Sequence, residues 1–327
     1  MSTSMRMLSL FIAVTVVFGA YYLIANLFFR TDAYIESILI FAAINIIVSL
    51  SFYLPFSAGL LSLAQAGFMG VGAYMSASIT TLWKFHFTVG PLDLTFFIAL
   101  LAGGILAAIV GVLTAFPALR IRGVYLLLMT LAISEIIRVF FLNFEYTGGA
   151  SGLGGIPPLT TIWNVYVALV LVVLFFVRVT KSRMGRAFES MKEDQDAAEV
   201  MGVDLTRHKV VAFAIGAFLA GISGGLYAHY ALYIDSTNFG VFRSIEILIF
   251  TLLGGYEIYA GPIYGGFYLT FLPEWLRIIQ DWRIIIFGGL LIVMMILRPA
   301  GLISKEMMSL RYWRSTLANL WKPRVEA

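Results

Sequence analysis

The 327-residue chain is 61% hydrophobic and 12% charged, carries a net charge of +4 and contains no cysteine. Soluble domains have about 45–50% apolar and about 25% charged residues, so this composition excludes a soluble protein and predicts an integral membrane protein. The lack of cysteine excludes disulfides and cysteine-ligated metals. Long uninterrupted apolar runs favour helices over a barrel, whose strands would alternate.

A membrane-spanning helix needs about 20 apolar residues, and a window of that length predicts about ten transmembrane helices. The predicted spans are residues 8–29, 34–54, 62–82, 94–117, 122–142, 161–179, 209–231, 244–260, 262–279 and 283–298. The first run is too long for the core of a signal peptide, so it is kept as a span. Gly254-Gly255 and Gly261-Pro262 interrupt the eighth, which predicts a broken or re-entrant helix near residues 244–262.

The basic residues predict an orientation. With the amino terminus in the cytoplasm, 16 of the 22 Lys and Arg residues fall on the cytoplasmic side and 5 on the outer side. The positive-inside rule therefore predicts that both termini are cytoplasmic. The basic tail, residues 299–327, is expected to rest on the anionic inner leaflet.

Two parts of the chain are related in composition. The start of the third span, residues 62–74, and the region 253–268 are both dense in glycine. Spans 2–5 and 7–10 begin on opposite sides of the membrane, because five spans separate them. This layout predicts an inverted repeat with a pathway at the repeat interface.

Residues 181–209, here called the docking segment, hold 12 of the 40 charged residues. Phe188, Met191, Ala198 and Met201 recur at helical spacing, and Gly202 follows them. The spacing predicts one helix that starts after Gly185, carries an apolar stripe and ends at Gly202. Two interpretations stay open: a docking helix for another protein, or an amphipathic helix on the inner leaflet. The acidic residues favour a basic protein partner.

Polar residues inside spans are the candidates for a solute pathway, because a buried charge costs about 2.5–3.5 kcal/mol on insertion scales and tends to face the bundle interior. Glu135 and Arg138 are spaced to pair on one helix face, either lining an outer mouth or only fixing helix packing. Ser62 and Gln65 line a pathway or hydrogen-bond between helices. The candidate pathway residues are Asn45, Ser62, Gln65, Glu135, Arg138, Glu246, Gly254 and Gly255.

The outer loop at residues 147–158 has five glycines, two prolines and no basic residue. Its composition fits a flexible lip that receives a soluble binding protein, or a plain linker. The three histidines are scattered without ligand spacing, so no metal site is predicted.

Several blocks carry a family resemblance. Asp196-Ala197-Ala198 followed by Gly202 resembles the E-A-A-x-x-x-G loop of ABC importer permeases, with Asp196 at the Glu position. The other blocks are AGLLSLAQAGF (58–68), RIRGVY (120–125), GGASGLGGIP (148–157), GRAF (185–188), SIE (244–246) with LGG (253–255), and RPAGL (298–302). Together they resemble the branched-chain amino acid permease family of the LivM type. Many members of that family read A-L-G-L-N and then G-Y-A-G, whereas this chain reads VSLSF (48–52) and FSAG (56–59) with Pro55 between. The loss of the usual Asn and Gly leaves the solute open.

The resemblance implies a single permease domain over residues 1–327, with the docking segment as its cytoplasmic ATPase-docking loop. It implies these docking residues: Gly185, Arg186, Phe188, Glu189, Met191, Asp196, Ala197, Ala198 and Gly202. It also implies two ABC ATPase subunits, a second homologous permease chain and an extracytoplasmic solute-binding protein, in a bacterial or archaeal cytoplasmic membrane. Nucleic acid is not an expected partner, since basic residues of a membrane protein mostly record orientation.

The function implied is ATP-driven import of a branched-chain amino acid or a related small polar solute by alternating access. The chain has no G-x-x-x-x-G-K-[ST] motif, so it is not expected to be an enzyme or to bind a cofactor, and ATP would bind the partner subunits. The alternative is an ion-coupled secondary transporter or channel that works without an ATPase. The few charges within the predicted spans count against an ion relay.

Overall fold

A computed structural model describes residues 33–83, 88–89, 92–118, 121, 123–275, 288–289, 292–293, 296 and 301–302. The predicted first span, most of the tenth and nearly all of the basic tail lie outside these residues. The helices are α1 (Ala33–Ser57), α2 (Gln65–Thr81), α3 (Thr95–Ala118), α4 (Val124–Asn143), α5 (Ile162–Lys181), α6 (Arg183–Glu193), α7 (Gln195–Val200), α8 (Leu205–Ala231), α9 (Val241–Gly254) and α10 (Ala260–Trp275). Short strands β1 (Thr88–Val89) and β2 (Leu92–Asp93) pair antiparallel, as do β3 (Leu153–Gly154) and β4 (Tyr233–Ile234). Single 3₁₀ turns cover Glu145–Thr147, Gly149–Ser151 and Ser236–Phe239.

The protein is helical, as the composition predicts, and six described helices are long and apolar enough to cross a membrane. They are Tyr34–Ser57, Thr95–Ala118, Val124–Asn143, Ile162–Lys181, Leu205–Ala231 and Ser236–Gly254, and they match predicted spans 2, 4, 5, 6, 7 and 8. Spans 3 and 9 correspond to α2 and α10, whose described lengths are 17 and 16 residues. The count of ten spans and the inverted repeat stay predictions.

Helix α8 is the centre of the described bundle and packs against α1, α2 and α3. Small residues permit this approach. A methyl group at Gly103 of α3 would lie 2.7 Å from the carbonyl oxygen of Gly72 in α2, and one at Gly221 of α8 would lie 2.9 Å from that of Gly103. Three backbones therefore touch at one crossing, as in membrane bundles whose interfaces are built from small residues.

Helix α2 begins inside the bundle. After α1 ends, residues 60–63 form neither helix nor strand, and Gln65, the first residue of α2, reaches Ser51 of α1 with a side-chain contact of 3.4 Å. The amide of Leu63 donates to the hydroxyl of Thr130, 2.9 Å away. Non-helical backbone at membrane depth is tolerated only where protein surrounds it, and this stretch is largely buried.

Helices α9 and α10 are separated by residues 255–259, which confirms the predicted break. The break lies at Gly255, with φ 121° and ψ 123°, where a side chain would strain the backbone. Gly261 and Pro262 do not interrupt a helix, contrary to the prediction. They lie in the first turn of α10, where a proline is tolerated because the first amides of a helix have no intrahelical acceptor.

The outer loop is folded rather than a free lip. Strand β3 pairs with β4, the amide of Ile156 donates to the carbonyl of Leu232 at 3.3 Å, and the Tyr233 hydroxyl donates to the carbonyl of Ser151 at 2.9 Å. Its glycines with positive φ form turns of defined conformation and do not make the loop flexible. The prediction of a flexible lip is therefore wrong.

Candidate functional site

The docking segment folds as two helices rather than the one predicted. Asp194 separates α6 from α7 with extended backbone, φ −153° and ψ 115°. Its carboxylate accepts from the amides of Asp196 and Ala197 at 2.9 and 3.1 Å. A side chain that caps the next helix offers the backbone an alternative to continuing the previous one. The prediction of one continuous apolar stripe along the docking segment is therefore wrong, because the helical register changes at Asp194.

The two helices bury one set of apolar residues and expose another. Phe188, Met191 and Ala198 are buried and anchor the segment to the rest of the chain. Met201, predicted to share their stripe, is 84% exposed, and Val200 beside it is 87% exposed. Two adjacent large apolar side chains are therefore exposed at the tip of a charged segment.

Capping hydrogen bonds define where the helices of the docking segment begin and end. The amide of Gly202 donates to the Glu199 carbonyl at 2.9 Å with φ +87°, which confirms Gly202 as the predicted helix end. Gly185 lies inside α6 instead of before it, and its amide donates to the hydroxyl of the capping Ser182 at 3.2 Å. The remaining predicted docking residues, Arg186, Glu189, Asp196 and Ala197, are exposed.

Lys192 ties the docking segment to the break between α9 and α10. Its ammonium donates to the carbonyl of Tyr256 at 3.1 Å and lies 5.2 Å from the centre of that ring. It also lies 4.9 Å from the ring of Phe56, near the end of α1. A cation held between two aromatic rings and a carbonyl joins three elements at one point.

Two further contacts join the segment to the bundle. A methyl group at Gly59, just after α1, would lie 3.2 Å from the Met191 carbonyl, so α1 and α6 touch there. The buried ammonium of Lys209 at the start of α8 donates to the side chain of Gln195 in α7 at 2.9 Å. The docking segment therefore contacts α1, α8 and the α9–α10 break.

A cavity of about 450 Å³ lies beneath α6, between α1, α5 and residues 256–259. Its polar wall includes Glu189, Lys192, Glu193, Tyr256 and Glu257. The Tyr259 phenol also lines it.

A second cavity, of about 390 Å³ and here called the Arg243 cavity, lies between α1, α9 and α10. It lies towards the start of α1 and the start of α9, the end of the bundle opposite the docking segment. Described residues that line it are Ile38, Phe41, Asn45, Met69, Tyr227, Asn238, Arg243, Glu246, Phe250, Leu269, Thr270, Pro273 and Glu274. Asn45 is midway along α1, so the cavity reaches towards the middle of the bundle.

A polar network is built around Arg243. Its guanidinium donates from Nη1 to Glu246 Oε2 at 2.5 Å and from Nη2 to Asn45 Oδ1 at 2.6 Å. The amide of Asn45 in turn donates to the Thr270 hydroxyl at 2.9 Å. Three helices thus contribute one hydrogen-bonded chain to the wall of the Arg243 cavity.

The candidate pathway residues separate into three groups. Asn45 and Glu246 line the Arg243 cavity. Ser62, Gln65, Gly254 and Gly255 are buried between helices and line neither cavity, and the two glycines pack against α10 and residue 301. Glu135 and Arg138 form an ion pair of 2.7 Å on α4 beside Gly240, also outside both cavities.

Sequence reasoning missed Arg243, which it counted only as an outer-side charge. The signal was present, since Arg243 and Glu246 are three residues apart, the same spacing as Glu135 and Arg138. The predicted pathway residues Gly254 and Gly255 lie at the carboxyl end of α9, whereas Arg243 lies near its start. Among the described residues, no group of three or more His, Cys, Asp or Glu side chains could hold a metal ion.

Residues 34–297 match the family described as "Branched-chain amino acid transport system / permease component". The chain belongs to this family. It is 32% identical over 295 residues to the high-affinity branched-chain amino acid transport system permease protein LivM of Salmonella typhimurium and to that of Escherichia coli. Each alignment covers 80% of this chain and 66% of the relative. The permease protein LivH of Escherichia coli is 27% identical over 147 residues, 44% of this chain and 46% of LivH.

The residues that match the family model extend from α1 to α10, so they include both the docking segment and the Arg243 cavity. The alignments with the two LivM proteins cover slightly less than two thirds of their length. No solved structure matches the chain.

Proposed function

We propose that the chain is the transmembrane permease subunit of an ATP-driven ABC importer for branched-chain amino acids or a related small polar solute. The observation that carries the proposal is the docking segment. It is folded, anchored by buried side chains, and exposes Val200 and Met201 beside a set of acidic residues. The family supports the transport class, because its printed description is a permease component of a branched-chain amino acid transport system.

The motor is a pair of separate ABC ATPase subunits that bind the docking segment and hold the ATP. The exposed apolar pair fits an apolar groove on each ATPase, and Glu189, Glu193, Asp196 and Glu199 fit a basic rim. The chain itself binds no cofactor in this scheme. It acts in transport and is not an enzyme.

A second permease chain completes the pathway, and an external solute-binding protein delivers the solute to the folded loop at the far end. Similarity to both LivM and LivH proteins supports a partner that is a different but homologous chain. The exposed apolar faces of α4 and α5 give room for that partner and for lipid. The membrane is a bacterial or archaeal cytoplasmic membrane, with the docking segment and both termini in the cytoplasm.

Transport proceeds by alternating access. When ATP closes the ATPase pair, the docking segment moves and pulls on the α9–α10 break through Lys192 and Tyr256. Helix α9 carries Arg243 near its other end, so the same movement changes the Arg243 cavity. A rigid helix transmits such a displacement over its length, about 1.5 Å per residue.

The test is uptake of radiolabelled leucine by vesicles that contain the permease pair, the ATPases and the binding protein. Uptake should stop when ATP is removed while the membrane potential is clamped. Uptake that persists without ATP supports the ion-coupled secondary transporter. Uphill accumulation by this chain alone, without nucleotide, would end the proposal.

A further inference from the structure

The Arg243 cavity has charges of both signs on an otherwise apolar wall. Its described charged residues are Arg243, Glu246 and Glu274, so their formal sum is one negative charge. Ile38, Met69 and Leu269 supply apolar surface around them. A volume of about 390 Å³ lies within the range of about 300–1,000 Å³ typical of small-molecule sites.

Two hydrogen bonds fix the position of the Arg243 guanidinium and leave three of its N–H groups available to a ligand. Its bonds to Asn45 and Glu246 use two of the five N–H groups of a guanidinium. Both partners fix its position, and the side chain is 16% exposed, so it is partly removed from solvent. A guanidinium with free donors in such a place recognises a carboxylate by charge-assisted hydrogen bonds.

The two carboxylates of the cavity keep acceptor capacity. One oxygen of Glu246 binds Arg243, while the side chain is 47% exposed. One oxygen of Glu274 accepts from the Tyr34 hydroxyl. A carboxylate has about four lone-pair sites, so each side chain accepts further hydrogen bonds. The Arg243 charge neutralises one of the two, which leaves a place for a cation.

From this arrangement we infer that the Arg243 cavity binds an α-amino acid in its zwitterionic form. The solute carboxylate binds the free donors of Arg243, its ammonium lies between Glu246 and Glu274, and its side chain packs on the apolar wall. The inference rests on the proposed transport function and assigns the solute site within it. A solute with only an anionic group is disfavoured, because it would add a second uncompensated negative charge.

The first measurement uses unmodified protein, in the full permease complex in lipid nanodiscs. Equilibrium binding is compared for L-leucine, for 4-methylpentanoate, which lacks the ammonium, and for 3-methylbutylamine, which lacks the carboxylate. We expect leucine to bind at least tenfold more tightly than either analogue. Equal binding of leucine and 4-methylpentanoate would overturn the inference without any variant.

The second measurement exchanges one charge at a time. Arg243→Met should weaken leucine binding at least tenfold and remove the preference for leucine over 3-methylbutylamine. Glu246→Gln should instead reduce the preference for leucine over 4-methylpentanoate. The chain offers a matched control in its other ion pair, since Arg138→Met and Glu135→Gln remove the same charges at the same spacing outside the cavity. These controls should keep both preferences.

The outcomes separate this inference from the proposed function. If ATP-driven uptake is intact while the cavity variants bind all three compounds like the unmodified protein, the cavity is not the solute site and the import function stands. If both ion pairs lose binding equally, the effect is a general one of charge loss and the inference fails. If ATP-driven uptake is absent but the two preferences follow the cavity variants, the solute site stands and the ATP-coupled function fails.

Discussion

Gly202 follows helix α7 within the docking segment, in a backbone conformation that other residues avoid. Its φ is +87°, and a methyl group placed there would meet nothing within 4 Å. A substitution therefore acts through backbone strain and not through a clash. Strain of this kind is of order 1–3 kcal/mol for a residue forced into the left-handed region. The strain falls on the turn that presents Val200 and Met201.

Gly202→Val should weaken binding of the ATPase subunits roughly 5- to 150-fold, as the strain of about 1–3 kcal/mol implies. The permease should still insert in the membrane. The measurement is co-purification of the ATPase with the permease, with a titration by surface plasmon resonance. Gly155→Val is the matched control. Gly155 has φ +72°, a methyl group there would also meet nothing within 4 Å, and it lies in the outer loop at the opposite end of the bundle from the docking segment. Normal ATPase binding and uptake by Gly202→Val would show that ATPase docking does not depend on this turn.

At the residue scale, the sequence predicts which residues are candidates for a solute site better than it predicts which residues contact each other. Asn45 and Glu246 were predicted as pathway residues and both line the Arg243 cavity. Their connection through Arg243 was not predictable, because Asn45 and Arg243 are separated by 198 positions. Whether the pairs at Glu135 and Arg243 face a cavity depends on helix rotation within the bundle. That rotation is set by packing and not by the spacing within each pair.

At the scale of elements, the joint between α6 and the α9–α10 break is the feature that links docking to transport. Lys192 contributes a hydrogen bond to the Tyr256 carbonyl and ring contacts to Tyr256 and Phe56. A hydrogen bond from a charged group contributes about 1.5–3 kcal/mol. A partly buried cation near aromatic rings adds about 0.5–2 kcal/mol. Without them, α6 and the break move independently.

Lys192→Met keeps most of the aliphatic stem and removes the ammonium. We expect ATPase binding and basal ATP hydrolysis to stay unchanged while solute uptake per ATP hydrolysed falls roughly 5- to 30-fold, which corresponds to a loss of about 1–2 kcal/mol. Lys192→Arg should recover part of the coupling, since a guanidinium also stacks on aromatic rings. The measurement is parallel uptake and phosphate release in vesicles.

The control for that experiment is Lys181→Met, which removes a charge from an exposed position of the docking segment. It should leave the uptake per ATP unchanged. Loss of ATPase binding in Lys192→Met would place Lys192 in the docking surface instead of the joint. Unchanged uptake per ATP would show that this contact does not couple the two parts.

Element boundaries were predictable where a local signal was strong. Apolar length placed six of the spans, and Gly254-Gly255 marked the break between α9 and α10. The division of the docking segment at Asp194 was missed. The apolar spacing continues across it, whereas the capping hydrogen bonds that end one helix and start the next are visible only in three dimensions. The late start of α2 was missed for a related reason, since residues 60–64 are as apolar as a membrane helix but form neither helix nor strand.

At the scale of the whole molecule, the fold divides into a buried centre and an apolar exterior. Helices α1, α2 and α8 are largely buried, whereas α4 and α5 expose apolar side chains along their length. In water such a surface would aggregate, and in a membrane it contacts lipid tails or another permease chain. The charged docking segment and the folded outer loop lie at opposite ends of this apolar body. ATPase docking requires the docking segment to lie on the cytoplasmic side of the membrane.

Because the natural chain has no cysteine, a single introduced cysteine reports its own side of the membrane. Met201→Cys at the docking segment and Ala150→Cys in the outer loop both place a thiol at an exposed position. In intact cells a membrane-impermeant maleimide should label Ala150→Cys and spare Met201→Cys, and in inverted vesicles the pattern should reverse. Ser76→Cys, a buried replacement of similar size, should stay unlabelled in both.

The positive-inside rule and the docking segment indicate the same orientation of the chain. The 12 charged residues of 181–209 are six carboxylates and six basic groups. An ATPase can bind them only on the cytoplasmic side, where ATP is found, and the positive-inside rule places them there. Labelling of Met201→Cys from the outside would reverse the topology and separate the docking segment from any ATPase. The Arg243 cavity would then open to the cytoplasm, so one labelling pattern decides both where the motor binds and from which side the solute enters.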